Sequence, residues 1–234
     1  APGSTPPAAG NAPAQQTPAQ QASTAPARDR AEVIAETARI KIDTPNVIGS
    51  ISLKGARIDD VALVKYRETV DPKSPAIVLF SPSGSREPYY AEFGFVPAAG
   101  STVKMPNQNT VWKQEGSNSL TASTPVTLTW DNGEGLTFKR TISIDDKYMF
   151  TIKDDVSNAG AVAATIYPFG LISRHGTPHT SGYYILHEGL VGVLGDKGLQ
   201  EYSYKKIDEE KSVAFKVING WMGMTDKYWA SALL

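Results

Sequence analysis

Short segments in which apolar and polar residues alternate recur along most of this 234-residue chain. Alternation of this kind places apolar side chains on one face of a β-strand and polar side chains on the other. The segments follow one another about every ten residues with no helical pattern between them, which favours an antiparallel β-sandwich. The predicted strands are Ile40–Ile42, Val47–Leu53, Ile58–Tyr66, Tyr90–Val96, Val126–Trp130, Leu136–Ile144, Tyr148–Ile152 and Phe215–Ile218.

Turn signals separate these segments, and helical patterns are scarce. Asp131-Asn132-Gly133 lies between two alternating runs and predicts a hairpin. Asp29 to Ala38 fits a short helical turn. The pattern from Thr225 to Leu234 fits a helix after a threonine cap and fits a strand equally well.

Charge and composition exclude several classes of protein. The 23 basic and 24 acidic residues give a net charge of −1, which argues against a partner that is a nucleic acid. The absence of cysteine excludes a disulfide scaffold, a cysteine-ligated metal and a thiol nucleophile. No apolar run approaches the roughly 20 residues that cross a bilayer, so we expect no membrane span in this chain.

The first 30 residues differ in composition from the rest. They are rich in Ala, Pro and Gln and contain no Leu, Ile, Val, Met or aromatic residue. A segment without apolar surface has little to offset its ordering entropy, so we predict a disordered linker over residues 1–30. Residues 31–234 are predicted to form one globular domain. Because the chain starts at Ala1, we expect that sequence upstream of it has been removed.

The histidines offer one possible metal site. His175 and His179 have the spacing of ligands on one helical turn, and Glu188 could supply a third ligand. Gly176 and Pro178 disfavour a helix there, so we interpret the two histidines as loop residues and predict no metal site.

Acid–base chemistry on a sugar needs a carboxylate and a second acid or base at one cleft. Glu188 beside His187, with His175 nearby, is the best candidate cluster. Adjacent residues on a strand point to opposite faces, so we predict no catalytic residue and no cofactor.

An aromatic segment near the end of the chain has two interpretations. Trp221 to Trp229 contains two of the four tryptophans and two of the four methionines. Trp, Tyr and Met are enriched at protein interfaces, so Trp221, Tyr228 and Trp229 are candidate binding residues. The alternative, which we favour, is that they belong to the sandwich core.

The same segment carries a resemblance to a known family. Gly220 to Leu233, with Thr225-Asp226-Lys227-Tyr228-Trp229 at its centre, resembles a signature of the large periplasmic domain of the YidC family of bacterial inner-membrane insertases. His187 to Leu194, Gly49 to Glu68 and Ser81 to Phe95 resemble further segments of that domain. The resemblance covers most of residues 40–234. Leu190 departs from it, because the family often has Pro at that position.

The resemblance implies a β-supersandwich like that of galactose mutarotases, in a periplasmic domain of an inner-membrane protein. It implies that residues 1–30 follow an absent first transmembrane helix, and that the sandwich is truncated, since the family continues with further strands. It also implies a non-catalytic role in inserting and folding inner-membrane proteins. The implied partners are SecDF and SecYEG of the Sec translocon, together with nascent inner-membrane proteins. Two alternatives stay open: a carbohydrate-binding or mutarotase-like protein, and a soluble periplasmic chaperone that binds extended peptides.

Overall fold

The computed structural model describes residues 28–178 and 186–234, and they form the predicted all-β fold. Two short α-helices accompany the strands, α1 (Arg30–Ala35) and α2 (Tyr204–Glu210), together with a single 3₁₀ turn at Gly195–Lys197. The strands are β1 (Arg39–Asp43), β2 (Val47–Ser52), β3 (Ile58–Arg67), β4 (Ala76–Phe80), β5 (Tyr89–Pro97), β6 (Lys113–Glu115), β7 (Ser119–Leu120), β8 (Val126–Asp131), β9 (Leu136–Ile144), β10 (Phe150–Asn158), β11 (Ile166–Arg174), β12 (Gly189–Leu194), β13 (Leu199–Ser203), β14 (Gly220–Asp226) and β15 (Trp229–Leu233).

The first sheet has seven strands in the order β11-β5-β3-β2-β1-β7, with β4 also paired to β3. Its pairs are antiparallel apart from the short parallel pair of β1 and β7. The long pair of β5 and β11 runs from Tyr89 opposite Arg174 to Pro97 opposite Ile166. β11 is the outer strand of this pair and forms one edge of the first sheet.

Two four-stranded antiparallel sheets accompany the first. The second sheet has the order β10-β9-β8-β6, and the third has the order β13-β12-β14-β15. The predicted hairpin turn joins β8 to β9: Asp131 accepts a hydrogen bond from the Gly133 N–H at 2.7 Å. Asn132 accepts from the Leu136 N–H at 3.0 Å, so side chains of the turn residues fix the register.

The core lies mainly between the first and second sheets. Ile40, Ile42 and Ile51 of the first sheet and Leu128 and Ile142 of the second are fully buried. Burial of such surface stabilises by about 25 cal/mol per Å², so this interface is the main source of stability.

An ion pair between neighbouring strands of the second sheet borders this core. Arg140 on β9 is fully buried and donates two hydrogen bonds to the Asp154 carboxylate, at 2.7 and 2.8 Å. It donates a third to the carbonyl of Phe93 at 2.9 Å, and its guanidinium lies 5.2 Å from the Trp112 ring centroid. Every charge buried here therefore has a partner, which such burial requires.

Most of the predicted elements are confirmed. The strand predictions from Ile40 to Ile152 match strands, and the predicted helical turn after Asp29 is α1, whose first turn is capped by that aspartate. The ambiguous segment after Thr225 is strand. The prediction of a strand at Phe215–Ile218 is wrong, since those residues lie in the irregular connection between α2 and β14.

The predicted linker lies mostly outside the described residues. The backbone of Arg28 forms an isolated parallel β-bridge with that of Ser85, and the Arg30 side chain forms an ion pair with Asp60. The end of the predicted linker thus contacts β3 and the loop before β5. The boundary at residue 30 and the disorder of the preceding residues stay predictions.

Candidate interaction groove

An apolar groove is lined by residues of all three sheets and has a volume of about 1120 Å³. Residues of β3, β5 and β11 line it from the first sheet, among them Leu63, Ala91 and Ile172. The second sheet contributes Phe150 and Ile152, and the third contributes β14 and β15. We call this feature the apolar groove.

The strands that line the apolar groove include an edge strand from each sheet, namely β11, β10 and β15. Within the described parts of the chain, β10 pairs with β9 alone and β15 pairs with β14 alone. An edge strand presents a row of N–H and C=O groups that can pair with another strand. The groove therefore combines apolar side chains with backbone groups suited to an extended polypeptide.

Aromatic side chains cluster where β3 meets β15. The Tyr66 and Trp229 rings meet edge to face, with centroids 4.9 Å apart. Tyr148 and Met149, at the turn before β10, also line the groove and are partly exposed. Trp221 lines it from β14.

The structure separates the three candidate binding residues. Trp229 is partly buried and packs against the core, in agreement with our core interpretation. The core interpretation is wrong for the other two, because Trp221 is 37% exposed and Tyr228 is 72% exposed. Tyr228 lies at the turn between β14 and β15 and is not among the residues that line the groove.

Polar residues of the same segment attach the β14–β15 hairpin to its surroundings. Asp226 accepts hydrogen bonds from Arg174 at 2.5 Å and from the Tyr204 hydroxyl at 2.8 Å. Burial and the neighbouring Asp226 carboxylate raise the pKa of Tyr204 well above its ordinary value, so its hydroxyl stays a donor. Thr225 donates to the carbonyl of His187 at 2.9 Å.

A further contact joins the hairpin to the first sheet. The Tyr89 hydroxyl and the Ser231 hydroxyl lie 2.5 Å apart. Together with Arg174 and Asp226, this contact fixes β15 against the edge of the first sheet. The sequence pattern predicted neither contact, because each joins residues more than 50 positions apart.

The candidate histidine cluster does not form part of the groove. His175 packs near Tyr90, and burial lowers the pKa of its imidazole, with Arg57 adding to the effect. His187 makes a hydrogen bond of 3.0 Å with the Leu190 carbonyl, and neither it nor Glu188 lines the groove. His179 lies outside the described residues. Within residues 28–178 and 186–234, no group of three or more His, Cys, Asp or Glu side chains could hold a metal ion.

The helices of the described residues are short. None of them is long and apolar enough to cross a membrane.

The described residues thus define an all-β sandwich domain with an apolar groove bordered by edge strands. Comparison with known sequences then gives the family. Residues 39–234 match the family described as YidC periplasmic domain, and the chain belongs to that family.

Individual relatives agree with this assignment. The chain is 73% identical to the membrane protein insertase YidC of Nitrobacter hamburgensis, over 88% of this chain and 34% of that protein. It is 69% identical to the membrane protein insertase YidC of Bradyrhizobium diazoefficiens, over 97% of this chain and 37% of that protein. The corresponding protein of Brucella melitensis is 51% identical over 88% of this chain. The chain thus spans about a third of the length of these relatives, and the resemblance inferred from the Thr225 to Trp229 signature is confirmed.

Proposed function

We propose that this chain is a non-catalytic interaction domain of a membrane protein insertase. The observation that supports this most directly is the apolar groove, which is flanked by the edge strands β10, β11 and β15 and lies open in the described residues. Contiguous apolar surface of this kind on a soluble domain is typical of a protein interaction site. The relatives are membrane protein insertases, so we infer that the process is membrane protein insertion.

The occupant that fits the groove is an extended segment of a nascent inner-membrane protein. Its backbone would pair with the edge of β15 or β10, and this pairing does not depend on sequence. Its alternate side chains would contact Leu63, Ile152 and Ile172 in the groove, and this contact requires only that they be apolar. Such recognition suits a domain that must bind many different clients.

We further propose the Sec translocon components SecDF and SecYEG as partners of the full-length protein, on the basis of the family resemblance. The apolar groove is assigned to the client, and the translocon would contact other surfaces. A domain that bound clients with the same affinity in the absence of its membrane core would instead act as a soluble chaperone.

Site-specific photo-cross-linking in the full-length protein tests the proposal. A photoreactive phenylalanine analogue replaces Met222, which lines the groove and is 55% exposed. The matched control replaces Val162, which is also exposed but lies in the loop between β10 and β11, away from the groove. We expect cross-links from position 222 to a nascent inner-membrane protein during its insertion, and none from position 162.

Two outcomes would contradict the proposal. Cross-links from position 222 that stay within the insertase chain would mean that the protein's own polypeptide fills the groove. Cross-links to SecD or SecF alone would mean that the groove binds the translocon and not the client.

A further inference from the structure

A second cavity lies beside β5 and adjoins the apolar groove, with which it shares Phe93 and Phe169. It has a volume of about 400 Å³, which is within the range of roughly 300–1,000 Å³ typical of small-molecule sites. Residues 92–96 of β5 form one side, and the loop of residues 105–109 forms the other. We call it the Glu92 pocket.

The pocket takes its name from a buried carboxylate. The Glu92 side chain is only 4% exposed and forms an ion pair with Arg57, with an N–O distance of 2.6 Å. Arg57 is itself fixed, since its guanidinium lies 4.7 Å from the Tyr90 ring centroid and donates to Gln108 Oε1 at 3.3 Å. Both contacts of Arg57 use Glu92 Oε2, and Oε1 accepts no hydrogen bond from the described residues. Glu92 Oε1 is therefore an acceptor held in a fixed position, and the charges of Glu92 and Arg57 cancel each other.

Hydrogen-bond donors come from the facing loop. Gln108 accepts from Arg57 through its oxygen, which leaves its NH₂ group as a donor. Asn107 accepts from the Asn109 N–H at 2.9 Å, which likewise leaves its NH₂ group. The Asn109 side chain is exposed and makes no hydrogen bond within the described chain.

Aromatic rings complete the pocket. Phe169 packs directly over Gly94, where a Cβ atom would come within 2.7 Å of the ring. Trp112 is buried and lies over the Arg140 guanidinium, which is held by Asp154. These contacts hold the two rings in place, so the pocket has rigid apolar walls.

We propose that the Glu92 pocket binds a neutral, polyhydroxylated ring of the size of a monosaccharide. A hydroxyl group can donate to the Glu92 carboxylate and accept from the Asn107, Gln108 and Asn109 amides, all of which line the pocket, so it satisfies both of its sides. The C–H face of such a ring can pack against Trp112 and Phe169. Because Arg57 neutralises Glu92, a charged ligand would gain no ion pair and would lose its hydration.

The test is an NMR titration of the 234-residue chain with D-glucose and, separately, with myo-inositol. We expect saturable shifts of the Trp112 indole N–H and of the amides of residues 107–109. The N109A variant should weaken binding about fivefold, the usual effect of one lost hydrogen bond between uncharged groups. The matched control N118A removes an exposed asparagine that does not line the pocket and should bind as the wild type does.

A second variant tests the carboxylate. E92Q keeps the shape of the side chain but removes its charge, and it should weaken binding more than N109A does, since hydrogen bonds to charged groups are stronger. If E92Q does not fold, N109A and N118A still decide the question. The proposal is overturned if neither probe produces saturable shifts, if N109A binds as tightly as N118A, or if the shifts centre on Trp221 and Trp229.

Discussion

Arg174, the last residue of β11, donates a hydrogen bond to Asp226, the last residue of β14, and so joins the first sheet to the third. The two side chains are 14% and 15% exposed, so water screens the pair only weakly. Tyr204 of α2 donates to the other oxygen of the same carboxylate. Asp226 therefore holds three elements at one end of the β14–β15 hairpin.

Replacing Asp226 by alanine should lower the free energy of unfolding by about 2–3 kcal/mol, because Arg174 and Tyr204 both lose a charged partner. Urea unfolding followed by tryptophan fluorescence measures the change. The control is D208A, since Asp208 is exposed and, among the described residues, pairs only with the exposed Lys211, so its loss should cost less than about 0.5 kcal/mol. Equal effects of the two variants would show that the contact with Arg174 contributes no more than a surface ion pair.

The buried Arg140 is the residue whose loss should cost most. Alanine there leaves the Asp154 carboxylate and the Phe93 carbonyl without their donors, so we expect a loss of about 3–5 kcal/mol in the free energy of unfolding. Lys139 is the matched control, because it precedes Arg140 on β9 and its side chain is exposed. A K139A change should stay within about 0.5 kcal/mol, and a similarly small effect of R140A would contradict the role assigned to Arg140.

Asp59 should give an unusual pH dependence. Burial raises its pKa, although Arg39 and Arg57 oppose the shift and Asp60 adds to it. In the window between its unfolded and folded pKa values the folded state binds more protons than the unfolded state. The contribution of Asp59 to stability is therefore greatest at low pH and falls as the pH rises through that window.

The measurement is the free energy of unfolding of the wild type and of D59N as a function of pH from the acidic range to neutrality. The difference between the two should shift in favour of D59N as the pH rises.

Asp131 offers the opposite case: hydrogen bonds from the Gly133 N–H and the Thr137 hydroxyl lower its pKa. Its contribution is present above the unfolded pKa and is lost as the pH falls through the folded pKa, so D131N should show the reverse slope. Parallel slopes for D59N and D131N would contradict this assignment.

The sequence predicted strands well where one face is covered and the other is not, as in β9, whose residues alternate between buried and partly or fully exposed. It missed β11, because Pro168 and Gly170 interrupt the pattern, which an edge strand of the sheet tolerates. It missed α2 as well. That helix begins after the N-cap residue Ser203. It has no buried residue, so its sequence shows no apolar stripe from which a helix could be predicted.

The candidate binding residues show a second feature that could not be predicted from the sequence, namely which of them would be covered. Trp221 and Trp229 lie in equivalent alternating segments, yet within the described part of the chain only Trp229 meets a ring of the first sheet, that of Tyr66. Alternation places a side chain on a face but does not reveal what covers that face. The apolar groove and the Glu92 pocket were unpredictable for the same reason, since each joins residues that are distant in the sequence.

The exposed apolar surface of the groove should bind a hydrophobic dye. The fluorescent probe ANS gains emission on exposed apolar surface, and the folded chain at neutral pH should therefore increase its emission. Replacing Met222 by glutamate places a charge in the groove and should reduce that emission, while the free energy of unfolding changes by no more than about 0.5 kcal/mol because the side chain is largely exposed. The control V162E adds the same charge at an exposed valine outside the groove and should leave the emission unchanged. If both variants lowered the emission equally, net charge rather than the groove would determine dye binding, and Met222 would not mark an interaction site.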